Sequence, residues 1–197
     1  MTYPSKINDT TVNYCVEMIM TQVLLLIERL GTWHGLSALI ALSVLIFAMI
    51  FATLAQLSEV TGGYGILDFE MGYSVERVDE ILGSYGSDGM ALYRSIQLLD
   101  LINPAVYSLI LAILVNLLWL GRGPKSVALL PVLGGIGDYL ENITLFLIVR
   151  SYPVLNDDLI AVSSGLSYLK NALASVGGVA LIAGVWVFAA SKLRRTR

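Results

Sequence analysis

Asp138, Glu141 and Asn142 are the residues of this chain best placed to do chemistry. They stand inside Val127–Arg150, a run that is otherwise apolar. Their spacing of i, i+3, i+4 puts them on one face of a helix. About 20 mostly apolar residues cross a bilayer, and an ionisable group among them costs several kcal/mol unless it is paired, hydrated or protonated. The face must therefore look into the protein. No Lys or Arg lies near it in sequence, so Asp138 and Glu141 are expected to form one coupled pair sharing a single proton. Such a pair suits three tasks: relaying protons, binding a cationic or hydroxylated lipid-like ligand, or acid/base chemistry on a sterol- or isoprenoid-like lipid.

A second polar face lies upstream. Asp100, Asn103 and Tyr107 follow an i, i+3, i+7 spacing, and Pro104 interrupts the helix that carries them. A proline there frees a backbone carbonyl near Asp100, which a neighbour or water must satisfy. Depths follow from the rise of about 1.5 Å per residue. Tyr107 and Asp138 both fall about 16–18 Å below the outer boundary, Asn103 about 10 Å and Glu141 about 12 Å. Asn103 is then expected to face Glu141 or Asn142, Tyr107 to face Asp138, and Asp100 to sit above them. The six residues make a candidate ligand-binding or proton-handling pocket open to the outside.

The elements that hold these faces can be read from the charges. The chain has 197 residues, of which 56% are hydrophobic and 14% charged, against about 25% charged in a soluble domain. Four stretches read as spans: about Leu36–Leu57, Ile96–Leu120, Ser126–Val149 and Asn171–Ser191. The expected fold is all-α, an integral membrane four-helix bundle forming a single domain over residues 1–197. Tyr14–Leu30 is apolar but broken by Glu17, Gln22, Glu28 and Arg29. It suits a helix lying in the interface, or else an extension of the first span. The polar Met1–Asn13 lacks a basic n-region, so no cleaved signal is expected.

Between the first two spans, residues 58–95 form an acidic cap: seven Asp or Glu against Arg77 and Arg94. Ser74 is placed to cap a helix bearing Val75, Val78, Ile81 and Leu82, which Gly83 and the Gly86–Gly89 run should stop. No Asp-x-Asp-x-Asp-Gly calcium loop is present. Small residues at four-residue spacing, Ala174/Gly178 and Ala180/Gly184, suit close packing of the last span. The basic turn Arg122/Lys125 and the basic C-terminal tail place both termini in the cytoplasm, with the acidic cap outside. Trp33, Trp119 and Trp186 then lie at cytoplasmic helix ends. The expected setting is a bacterial inner membrane.

One cysteine and one histidine, Cys15 and His34, leave no internal disulfide, Cys-x-x-Cys site or His-based metal or triad site. No cofactor or metal is expected. The only basic cluster is the short tail, which sets nucleic acid aside. The expected partners are membrane lipids, and a homo-oligomer or larger membrane complex is an alternative in which the protein is a structural subunit.

Two resemblances attach to these residues. Gly135-Ile136-Gly137-Asp138 resembles the G-x-G-D motif of presenilin-type and prepilin-peptidase-type intramembrane aspartyl proteases. It covers four residues, and it implies a second aspartate at the same depth. Asp100, the candidate, falls about 10 Å higher by the same count. Taken whole, the acidic outer segment and the D-x-x-E-N pattern in the third span resemble small bacterial four-span membrane proteins. That resemblance implies an architecture and no activity.

Overall fold

The computed structural model describes residues 9–195; the first eight residues of the polar N-terminal stretch and the last two of the basic tail lie outside them. Among the described residues the chain is helical without strands. The helices are α1 (Asp9–Leu30), α2 (Trp33–Thr61), α3 (Val75–Asp100), α4 (Asn103–Trp119), α5 (Leu130–Ser151) and α6 (Asp157–Arg195). Two short 3-10 turns, Leu67–Phe69 and Lys125–Leu129, sit in the connections.

Five segments are long and apolar enough to cross a membrane, one more than the charge gaps suggested. The extra one is Thr11–Leu30. The other four are α2, the stretch Val75–Trp119 that joins α3 to α4, the stretch Lys125–Ser151, and α6. Their outward faces are apolar: Ile143 of α5, Val179 and Ile182 of α6, and Val44 and Leu45 of α2 are all exposed. Large aliphatic side chains displayed this way on every long helix are what a hydrocarbon solvent selects.

Local chemistry explains several helix ends. Thr32 caps α2 by accepting from Gly35 N–H, and Gly62 closes it in the left-handed conformation, φ 72°. α1 and α2 are thus two helices parted at Gly31–Thr32, not one bent helix. Ser74 caps α3 as expected, accepting from Arg77 N–H at 3.3 Å. The helix then runs on past Gly83 and Gly89, broken only at Gly86 (φ 57°, ψ −161°). Tertiary packing overrides the glycine run here, because Tyr85, Gly89 and Tyr93 are buried.

Pro104 does not interrupt a helix. The chain breaks at Leu101–Ile102 and Pro104 occupies the first turn of α4, where its missing N–H costs nothing. The carbonyls left at the end of α3 are met from α5: the Tyr139 hydroxyl donates to Leu101 O at 2.9 Å, and Asn142 Nδ2 approaches Asp100 O at 3.4 Å.

α6 is a single helix of 39 residues, roughly 58 Å long, where a span over about Asn171–Ser191 was expected. It packs most extensively on α5. Glycines make that approach close: a Cβ on Gly134 would touch the Ala174 backbone at 3.5 Å, one on Gly137 the Lys170 Cα at 3.3 Å, and one on Gly177 the Pro131 Cα at 3.3 Å. Gly178, expected in the packing stripe, faces open space, whereas Gly184 lies under Trp119. The Trp119 indole N–H donates to Ala180 O at 3.0 Å, so this tryptophan ties α4 to α6.

The segment between α2 and α3 does more than cover one end. Residues 66–71 turn inward between α2 and α6, with Ile66 and Leu67 buried. The backbone within and at either end of this segment is held by neighbouring side chains. Tyr85 OH donates to Gly65 O at 2.6 Å, Ser167 OH to Glu70 O at 2.9 Å, and Tyr73 N–H to Ser164 Oγ at 3.0 Å. Irregular backbone within a bundle survives where it is buried in protein and paired in this way. Arg77 pins the segment from α3, bridging Glu70 and Glu80.

Candidate functional site

The residues of the first polar face are buried as that face requires. Asp138 is 7% exposed, Glu141 0% and Asn142 9%. Their surroundings correct the shared-proton expectation, because a cation is present. Lys170 of α6 places its ammonium between the two acids, 3.3 Å from Asp138 Oδ1 and in closer contact with Glu141 Oε2. Lys170 falls just outside the expected span Asn171–Ser191. It lies instead well inside α6, beside Gly137, where the absent side chain lets the two helices meet. Tyr107 completes the group by donating its hydroxyl to Asp138 Oδ2 at 2.9 Å. Tyr107, Asp138, Glu141 and Lys170 therefore form one network joining α4, α5 and α6.

Asp100 belongs to a second cluster, about one helical turn above Asp138. Asn142 Nδ2 donates to Asp100 Oδ2 at 2.8 Å, and Asn103 Nδ2 donates to Asp100 Oδ1 at 3.0 Å. Asn103 thus turns to Asp100 rather than to Glu141 or Asn142. No lysine or arginine pairs with Asp100 among the described residues. Its oxygens and those of Asp138 bond to different partners, so they do not form the proton-sharing dyad that the G-x-G-D resemblance implies. Gly135 and Gly137 serve helix contact: the first faces Ser108 and Pro104 of α4, the second α6.

One site residue had no signal in the sequence. Asp68, carried inward by the 66–71 segment, accepts from the Tyr93 hydroxyl at 2.8 Å. Burial pushes its carboxyl above the usual carboxylate range, partly offset by that hydrogen bond. An acidic residue in a connecting segment reads as solvated surface, and only the fold shows otherwise.

These groups border a cavity of about 490 Å³. Asp68, Glu70, Asp100, Asn103, Asp138, Lys170 and Asn171 make its polar wall, while Phe47, Ile50 and Phe51 of α2, Ile96 of α3, and Ile66, Phe69 and Met71 make its apolar wall. The pocket is therefore wider than the α4–α5 cleft expected from sequence, with α2, the inward segment and α6 all contributing. Phe51, Phe69 and Met71 are also largely exposed on the outer surface. α2 and α6 flank the cavity with almost no contact between them, so its open side faces outward between two apolar helices. Among the described residues, no three His, Cys, Asp or Glu side chains are placed to hold a metal ion.

Compared with protein-family models, with curated proteins and with solved structures, the chain finds no match in any of the three.

Proposed function

We propose that the protein is a multi-pass membrane protein that takes an amphiphilic, lipid-like ligand from the bilayer and holds its cationic or hydroxylated head against Asp68 and Asp100. The observation that carries this reading is the unequal cavity, one wall acidic and the other aromatic and aliphatic. The cavity is lined by four carboxyl groups (Asp68, Glu70, Asp100 and Asp138) and one lysine, which already pairs with Asp138 and with Glu141 beside it, while Glu70 pairs with Arg77. Asp68 and Asp100 keep acceptor capacity facing the cavity, and an anionic head would be repelled. A volume of about 490 Å³ falls within the roughly 300–1,000 Å³ of small-molecule sites. Asp138 and Glu141 are occupied by Lys170, which favours binding over acid/base catalysis by that pair.

The reading includes a topology. α2, α3–α4, α5 and α6 cross the membrane, and α1 lies on its cytoplasmic surface. Only one stripe of α1 (Val23, Leu24, Ile27 and Leu30) packs on the bundle. From Thr11 to Met20 every residue is exposed, where a fifth span packed in the bundle would bury a face. Glu28 pairs with Lys125 at 2.6 Å, tying the end of α1 to the basic turn. That turn and the basic end of α6 set the cytoplasmic side, which fits a bacterial inner membrane. Counting from Trp33, Trp119 and Trp186 at that side, the site lies about 21–28 Å away, in the outer third of a hydrocarbon core roughly 30 Å thick. A lipid headgroup reaches that level from the outer leaflet.

Two measurements test these points. In a Cys15→Ser background, Ser87→Cys should react with a membrane-impermeant maleimide in intact cells, and Ser126→Cys only after permeabilisation. Equal labelling of both would overturn the orientation. For the ligand, protein purified in mild detergent is extracted and its bound lipids are quantified by mass spectrometry. Asp68→Asn and Asp100→Asn keep shape but remove a charged hydrogen-bond acceptor, whose loss is worth about 1.5–3 kcal/mol. Retention of the specific lipid should fall roughly ten- to a hundredfold in each variant, with thermal stability unchanged or raised. Unchanged retention in both variants would remove the site from this role.

A further inference from the structure

Asp68 and Asp100 also border a second, small chamber of about 30 Å³, whose other walls are Gln97 and Asn142 with the apolar Leu98, Leu101 and Phe146. Three buried polar atoms at this place, Gln97 Nε2, Gln97 Oε1 and Asn142 Oδ1, find no hydrogen-bond partner among the described residues. Gln97 and Phe146 also border the next space, a cleft of about 310 Å³ that holds Arg94 and Arg150. Both arginines are exposed, and neither forms an ion pair among the described residues. Gln97 therefore stands as the partition between an open cleft and this chamber.

We propose that the chamber is a water site, filled from the Arg94/Arg150 cleft past Gln97. A buried amide left without partners costs about 1–3 kcal/mol, whereas a chamber needs only about 10–15 Å³ of such space to hold one water. The volume accommodates one or two, each making about three hydrogen bonds, and the Gln97 amide, Asn142 Oδ1 and the two carboxyl groups supply the partners. The two unpaired guanidinium groups at the mouth require water or headgroups around them and repel metal ions, so the passage selects water over cations. It gives Asp68 and Asp100, the carboxyl groups without a lysine, the hydration that an ionisable group in a membrane protein needs. It also offers an exit for water when the main cavity fills. The water site rests on these atoms alone and stands whatever the main cavity binds.

The test uses the full chain in lipid nanodiscs, with selective ¹⁵N labelling of glutamine and asparagine side chains. There are three glutamines, Gln22, Gln56 and Gln97, and the Gln97 resonance is assigned by its loss in Gln97→Leu, or by exclusion with Gln22→Glu and Gln56→Glu should Gln97→Leu not fold. The side-chain amides of Gln97 and Asn142 are expected to show cross-peaks to water of the sign given by long-lived bound molecules. In Gln97→Leu, the Asn142 cross-peak should lose most of its intensity and the melting temperature should hold or fall. Absence of a water cross-peak to either amide in the wild-type protein overturns the proposal. A higher melting temperature for Gln97→Leu does so as well, because an apolar isostere stabilises only where the amide was dry.

Discussion

Lys170→Met should destabilise the protein by about 3–5 kcal/mol, the cost of leaving buried charges without their partner. The lysine side chain is 15% exposed, and it faces Asp138 at 10% and Glu141 at 0%. Methionine keeps most of the volume and none of the charge, so packing between α5 and α6 survives while two carboxyl groups lose their cation. Asp138 and Glu141 are then left buried side by side without a cation, and the Tyr107 hydroxyl remains the partner of Asp138. The loss should be recovered largely by adding Asp138→Asn and Glu141→Gln, since an uncharged network needs no lysine. Thermal unfolding in detergent of the single and triple variants measures both effects. A Lys170→Met protein as stable as the wild type would return the pair to the proton-sharing arrangement expected from sequence, with the lysine an onlooker.

That reversal shows where sequence reasoning reached and where it stopped. The face of Asp138, Glu141 and Asn142 was legible because an acid in an apolar run has few places to point, and 3.6-residue periodicity decides which neighbours share its side. The pairing partner was not legible. Lys170 ends a weakly amphipathic stretch, and nothing local distinguishes a lysine at a headgroup boundary from one turned inward along a glycine-lined groove. The groove itself, Gly134 and Gly137 against Ala174 and Lys170, exists only once α5 and α6 are antiparallel neighbours. Ser74 could be read as a cap because its hydrogen bond is made within four residues. The inward path of residues 66–71 could not, because its backbone partners, Tyr85, Ser164 and Ser167, come from α3 and α6. Asp68 was lost for the same reason. Pro104 was read as a kink within a helix and proved to start one. The consequence drawn from it, a carbonyl near Asp100 needing a neighbour, matches the contact that Asn142 makes.

Gly135→Val should cost about 1–3 kcal/mol or more, the range for overpacking a tight contact, and should disturb the site from a distance. A Cβ at this position would lie 2.7 Å from Ser108 Oγ, 2.8 Å from Ser108 Cβ and 3.0 Å from Pro104 O. The serine hydroxyl can rotate away, but the Pro104 carbonyl cannot move unless the first turn of α4 moves with it. That turn carries Asn103, bonded to Asp100, and leads into Tyr107, bonded to Asp138. Displacing α4 from α5 therefore loosens both clusters at once, although Gly135 touches neither cavity-facing carboxyl group. Gly178→Val is the control of equal chemistry. Nothing lies within 4 Å of that position, and its effect should stay within about 0.5 kcal/mol, as for an unconstrained surface site. Thermal unfolding of the two variants, read beside retention of bound lipid, separates a packing defect from a general cost of valine in a glycine-rich helix. Equal losses at both positions would mean that helix propensity, not the contact with Pro104 and Ser108, sets the need for glycine. A loss confined to Gly135 would identify that contact as what holds Tyr107 against Asp138.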